Sequence, residues 1–286
     1  MKTTALKPLM KWQEGIISAS YQLMCLALGL LLMAPLLYSV SISFMRPEEV
    51  LTTELRFLPE SFYLGNYGIA LAQANFYRFI LNSFVVAFVS SAVRVITASM
   101  AAFSFAFFEY RGKNFLFYLV VGSFIIPSDV LVVQNYFTTA TMGLINTYLG
   151  VMIVFFVSAM NIFVMRQYFL TYSKSLRDAA LVDGCGNFMF YARILLPSCT
   201  PVIATVFIAS FVGTWNTYLW PLLVTNANEM RTAQVAITML NVTEGSSYGY
   251  GVVMAAAVLI LIPSILIFVL FQKRIVGGIM TGSVKG

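Results

Sequence analysis

Between Ile16 and Phe44 the chain carries no charged residue. An apolar run of that length exceeds the roughly 20 residues that cross a bilayer as a helix. No water-soluble fold hides several such runs, and this chain has six: Ile16–Phe44, Phe79–Phe108, Phe115–Tyr136, Tyr148–Met165, Thr200–Val224 and Val252–Phe271. The third is interrupted by Pro127 and Asp129. Composition agrees: 60% of residues are hydrophobic and 10% charged, against about 25% charged in a soluble domain. The expected fold class is therefore an all-α integral membrane protein with six transmembrane helices. Lys2, Lys7 and Lys11 ahead of the first run imitate a secretion signal. The run is too long for a signal core, which spans about 7–15 residues, and no small-residue cleavage site follows, so it reads as a retained span.

Lys and Arg placement sets the orientation. With the N-terminus inside, Lys2, Lys7, Lys11, Arg111, Lys113, Arg166, Lys174, Arg177, Arg193, Lys273, Arg274 and Lys285 lie on the cytoplasmic side. Arg46, Arg56, Arg78 and Arg231 lie outside, and Arg94 falls within a span. Both ends are thus expected in the cytoplasm of a multi-pass protein of the cell membrane. The pI of about 9.2 reflects this bias and not nucleic acid. The expected organisation is a cytoplasmic segment 1–15, a first span 16–44 and an extracytoplasmic loop 45–78. A membrane domain 79–271 follows, with a cytoplasmic loop 166–197, and then a cytoplasmic tail 272–286. That tail holds Gly277, Gly278, Gly282 and Gly286, and glycine disfavours a helix there.

Several chemistries are excluded. There is no histidine, so the commonest metal ligand and general base are missing. Cys25, Cys185 and Cys199 form neither a metal-binding spacing nor a disulfide framework. No Ser–Lys or paired-Asp arrangement lies at span depth, which disfavours an intramembrane enzyme. No phosphate-binding P-loop exists: Gly112-Lys113 is followed by Asn114 and lacks the upstream glycine.

The cytoplasmic stretch "DAALVDGCGNFMFYARILLP", Asp178–Pro197, is the polar exception between two oily runs. Ser175 through Asp178 fits a capping box for a short helix. Gly184 is expected to end that helix in the left-handed conformation, and Asn187 to cap a second. Ala179, Leu181, Val182, Phe188 and Met189 then form an apolar side with no lipid to bury it, which calls for a protein groove. A DNA-binding helix-turn-helix is excluded by the two tethers to the bilayer, and a plain inter-span loop is the simpler alternative.

This stretch resembles the EAA loop of ABC importer permeases, E-A-A-x-x-D-G-A followed by I-x-L-P. It stands here as Asp178-Ala179-Ala180, Asp183-Gly184-Cys185 and Ile194-Leu195-Leu196-Pro197. Asp178 replaces the family's Glu and Cys185 its Ala, and Ser173 stands where the family tends to carry proline. "LNSF", "AAFSFAFFEYRGK", "IIPSDV", "GLINTYLG", "WNTYLWPLL" and "GGIMTGSVKG" extend the likeness to nearly the whole chain, which is similar to the MalG-like permeases of carbohydrate-type importers. The resemblance implies a type I ABC importer permease fold and a coupling helix at Asp178–Pro197 seated in a separate ATPase. It implies further partners: a homologous second permease, two copies of that ATPase and an extracytoplasmic solute-binding protein. ATP and Mg would be used by the ATPase, with no cofactor in this chain. It also implies a tail reaching toward the ATPase dimer.

Substrate-pathway candidates are the polar groups at span depth. Arg94 sits near mid-bilayer, where an unpaired Arg costs about 2.5–3.5 kcal/mol. Its expected partner, if purely structural, is Asp129 or a group of the companion permease. Asn82, Gln134 and Asn135 offer amides. Trp215, Asn216, Tyr218 and Trp220 combine ring faces with hydrogen-bonding groups, as sugar recognition requires. The expected substrate is a carbohydrate. The alternatives are glycerol phosphate or its diesters, which a mid-span cation would suit, and a stand-alone secondary transporter or channel.

Overall fold

The computed structural model describes residues 6–50, 56–72, 76–240 and 249–280, and the regular structure it assigns there is helical. Two compact units divide the chain: residues 1–70 with 245–258, and residues 71–244 with 259–286.

The first unit contains α1 (Leu6–Ser43) and α2 (Pro47–Val50). It also contains the start of α3 (Gly65–Ala72). From Ala19 to Leu37 every side chain of α1 is exposed, Leu32 by 78%. Only lipid or another subunit can cover such a surface. The described residues beyond α1 are tied together by hydrogen bonds. Buried Asn66 donates to the carbonyls of Ser43 and Met45 at 3.0 and 2.7 Å. The Glu49 carboxylate accepts from the Glu60 amide at 3.0 Å. Gly251 lies against this knot: a Cβ there would stand 2.5 Å from the Asn66 amide nitrogen.

The second unit is built on α4 (Phe76–Phe107). It continues with α5 (Lys113–Ser123) and, after a 3-10 turn at Ser128–Leu131, α6 (Val132–Thr141). Then come α7 (Tyr148–Met152), α8 (Ala159–Phe169), α9 (Lys174–Val182) and α10 (Asn187–Met189). A π-helical stretch, Phe190–Leu195, leads into α11 (Leu196–Ser198) and α12 (Thr200–Trp215). The last helices are α13 (Leu219–Val224) and α14 (Ala233–Leu240), followed by α15 (Tyr250–Met280), which begins in the first unit and belongs to the second from Leu259.

Among the described residues three helices are long and apolar enough to span a membrane: Ala19–Ser43, Phe76–Phe107 and Tyr250–Phe271. Three bent pairs pass the same test: α5 with the segment through α6 (87°), α7 with α8 (49°), and Asn187–Ser198 with α12 (79°). By length and composition alone, the described residues hold three spans, or up to six with each bent pair counted as one. Two expectations need correction. The fifth span does not run to Val224, because α12 ends at Trp215 and Asn216–Tyr218 break the backbone before α13. The tail is not helix-free after Arg274: α15 continues through Gly277 and Gly278 to Met280, while residues 281–286 lie outside the described residues. A long upstream helix already bears the cost of nucleation, so two glycines at roughly 1 kcal/mol each do not stop it.

α4 packs chiefly against α12 and α8. Its inner face carries small residues, with Ala87, Ser90, Ser91, Ala98 and Ala102 fully covered. Small side chains let helix backbones approach closely, which drives association where no hydrophobic effect operates between spans.

Candidate functional site

Helix breaks inside a membrane protein leave backbone carbonyls without partners, and these are tolerated only where protein or water satisfies them. After α7 a 3-10 turn, Ile153–Phe155, runs into a break at 156–158 before α8, and α4 closes it. Arg94 Nε donates to the Phe155 carbonyl, and its guanidinium lies 5.5 Å from the Phe155 ring centroid. Thr97 donates to the Phe156 carbonyl at 2.6 Å. Ser158 then caps α8 by accepting from the Asn161 amide. The expected Arg94–Asp129 ion pair is absent among the described residues. A helix break supplies Arg94 with a carbonyl acceptor closer to hand.

The breaks converge. One cavity of about 530 Å³ is lined by Arg94, by Ser128, Asp129 and Asn135 of the broken α5–α6 segment, by Val154, Phe155, Val157 and Ser158 at the α7–α8 break, and by Thr217, Leu219 and Trp220 after α12. Of the expected substrate-pathway residues, the structure brings together Arg94, Asp129 and Asn135. Trp220 joins them, with its Nε1 donating to the Val151 carbonyl at 3.1 Å. Five others do not line this cavity. Asn82 is buried and clamps Glu229, Arg231 and Tyr148. Trp215 is 2% exposed, stacks on Phe211 and donates to the Ile260 carbonyl. Asn216 ends α12, and Tyr218 precedes α13. Gln134 is exposed on α6, outside the lining. Ser128, Ser158 and Thr217 went unnoticed in the sequence, where a hydroxyl beside a break looks like any capping residue.

The Asp178–Pro197 loop is anchored on one side and open on the other. α9 is capped not by Ser175 but by Ser173, whose hydroxyl accepts from the Ser175 amide at 3.1 Å. Ser173 has the extended backbone of a cap, and Ser175 already lies inside the helix. Gly184 does end α9, with φ +80°. Its amide donates to the Leu181 carbonyl and that of Cys185 to the Ala180 carbonyl, at 3.0 and 2.8 Å. That pair of bonds is a Schellman motif, which satisfies the orphan carbonyls and reverses the chain. Asn187 is the first residue of α10, and Gly186 holds the cap position instead.

Ala180, Phe190, Tyr191, Leu195 and Cys199 are buried in the core around the end of α4, and Cys185 and Ile194 pack on that cluster. Tyr191 and Ser99 share a hydrogen bond of 2.6 Å. In the turn after α8, Tyr172 donates to the Ser198 carbonyl at 2.8 Å. Burial, and then the neighbouring Cys199, hold its phenol above the usual range. Facing outward are Asp178, Ala179, Asp183 and Pro197. With them are exposed apolar side chains: Val182 at 88%, Phe188 at 75%, and Leu181 and Met189 less so.

Residues 67–280 match the family described as the binding-protein-dependent transport system inner membrane component. The chain belongs to that family. It is 32% identical over 263 residues to the sn-glycerol-3-phosphate transport system permease protein UgpE of Brucella melitensis biotype 1, covering 89% of this chain and 93% of the relative. It is 30% identical over 255 residues to the arabinooligosaccharides transport system permease protein AraQ of Halalkalibacterium halodurans, covering 88% and 91%. Among solved structures it superimposes with a TM-score of 0.80 on a chain of a bacterial ABC transporter involved in the import of the acidic polysaccharide alginate. That match covers 91% of this chain and 97% of the other at 23% identity, a likeness of fold. These relatives are transport permeases.

Proposed function

We propose that this chain is one of two homologous permease subunits of an ATP-driven importer that carries a carbohydrate inward across the cytoplasmic membrane. Two copies of a separate ATPase chain use ATP and Mg, and an extracytoplasmic solute-binding protein delivers the solute. Both termini and the Asp178–Pro197 loop face the cytoplasm. The observation that carries this reading is the loop: Schellman-closed, anchored by Phe190, Tyr191 and Leu195, and exposing Val182 and Phe188. A rigid apolar knob at a membrane face fits a partner's groove.

In this reading Asp178, Ala179, Ala180, Asp183, Gly184, Cys185, Ile194 and Pro197 shape the ATPase-docking element. Closure of the ATPase dimer pulls the loop and shifts the spans between inward- and outward-open states, since nucleotide binds the two states unequally. Arg94, Asp129, Asn135 and Trp220 then contact the solute as it passes. A second reading, glycerol phosphate or its diesters as solute, is favoured by the guanidinium on the cavity wall.

The test is purification of the tagged chain with its neighbours, followed by uptake into vesicles loaded with nucleotide. Expected are a co-purifying ATPase and ATP-dependent uptake of an oligosaccharide. Uptake of sn-glycerol 3-phosphate instead would select the second reading. Uptake that survives ATP depletion, with no ATPase attached, would make the chain a stand-alone transporter.

A further inference from the structure

The last turn of α4 has no basic residue of its own. A helix C-terminus presents orphan carbonyls and the negative end of the macrodipole, both of which attract cations. Here the cations come from elsewhere. Arg166 of α8 donates to the Phe105 carbonyl at 3.3 Å with its guanidinium 4.0 Å from the Phe117 ring centroid. Lys113 of α5 donates to the Phe108 carbonyl at 2.8 Å. Both belong to neighbouring spans. The third cation, Arg177, belongs to the loop.

Arg177 makes three attachments. Nη1 donates to the Phe107 carbonyl at 2.8 Å. Nε and Nη2 both donate to Asn187 Oδ1, at 3.1 and 2.8 Å. The guanidinium lies 4.9 Å from the Phe108 ring centroid. One side chain thus joins α9, where it sits, to the first residue of α10 and to the end of α4. Toward its middle α4 carries Arg94 on the cavity wall, roughly 20 Å away at the α-helical rise. The buried apolar anchors of the loop hold it to the core but are non-directional and allow sliding. A planar guanidinium with fixed donor directions sets register and orientation, which neither apolar contact nor a lysine does.

We propose that Arg177 is a positioning residue that makes α9, α10 and α4 move as one body, so that displacement of the loop reaches the cavity wall through α4. It rests on the reading of the loop as the ATPase-docking element and names how that docking is transmitted.

The experiment uses the assembled complex with its ATPase, in a Cys25→Ser background, with labelling of Cys185 counted separately on its own peptide by mass spectrometry. A reporter cysteine at Val157, exposed on the cavity wall, is labelled with a maleimide, with and without ATP plus vanadate. In this parent complex, nucleotide changes the labelling rate several-fold. Arg177→Gln keeps the ATPase at parental stoichiometry and loses the nucleotide-dependent change. Arg177→Lys, which reaches the Phe107 carbonyl but not both partners, recovers part of it. Asn187→Ala, which leaves the Phe107 bond intact, also loses part. A full nucleotide response in Arg177→Gln overturns the proposal. So does loss of the ATPase from that variant, which would make Arg177 part of the docking face itself. If Arg177→Gln fails to accumulate in the membrane, Asn187→Ala decides, and a full response there overturns the proposal too. No response in the parent complex would instead overturn the docking reading.

Discussion

Gly184 and Arg94 show how differently single residues can be held. A Cβ at Gly184 would meet nothing within 4 Å, so crowding is not what selects glycine there. The φ of +80° is, because side-chain-bearing residues reach it only at a cost of order 1 kcal/mol or more, asparagine least. Gly184→Val should leave membrane levels near normal while releasing the ATPase and abolishing uptake, with Gly184→Ala milder and Gly184→Asn milder still. Co-purification of the ATPase with tagged permease measures this. Full retention and normal uptake in Gly184→Val would refute the docking role. Arg94 is held by the Phe155 carbonyl and ring and not by a carboxylate. Arg94→Ala should therefore destabilise the fold by about 1–3 kcal/mol, the cost of a bond to a charged group. A double-mutant cycle with Asp129→Ala should show no coupling, read from thermal unfolding in detergent. A coupling above about 0.5 kcal/mol would reinstate the ion pair.

At the level of elements, caps explain where the helices stop and start. Ser173 satisfies an amide at the N-terminus of α9, and serine suits a helix start. Ser173→Ala should cost about 1 kcal/mol of local helix stability, and Ser173→Asp should restore it. The readout is the ATPase concentration needed for half-saturation of detergent-solubilised permease, raised by Ala and returned by Asp. If Ala binds like the parent, the first turn of α9 is not part of the docking surface. The broken spans follow similar logic. Pro127 cannot continue α5, and it adopts the extended backbone that opens the Ser128–Leu131 turn. The sequence shows that proline clearly. It shows nothing comparable at Phe155–Ser158, where the break persists because Arg94 and Thr97, distant in sequence, satisfy its carbonyls.

The whole molecule carries a formal net charge of +6. Its cysteines make the orientation measurable. Cys185 is partly exposed in the loop, Cys199 is buried, and Cys25 lies on the exposed face of α1. A membrane-impermeant maleimide should label Cys185 in inside-out vesicles and not in right-side-out ones, and bound ATPase should slow that labelling. Labelling in right-side-out vesicles would reverse the assigned topology.

The sequence by itself determined that this is a helical membrane protein with six apolar segments. It also determined that the polar stretch at Asp178–Pro197 turns at Gly184 and exposes an apolar side. Those conclusions rest on local physics: the hydrophobic length of a span, the left-handed preference of glycine, and the exposure of a loop with no lipid around it. Tertiary structure decided what depends on which breaks meet. Trp215 and Asn82 looked like solute ligands and are packing and clamping residues, because their polar atoms are taken by distant carbonyls. Ser128, Ser158 and Thr217 looked like nothing and line the cavity. Arg177 read as one more positive charge on the inner face, and only the fold placed it at the unsatisfied end of α4. A backbone carbonyl looks the same in every residue of a sequence, so which of them is left open for a side chain to find is written in the packing alone.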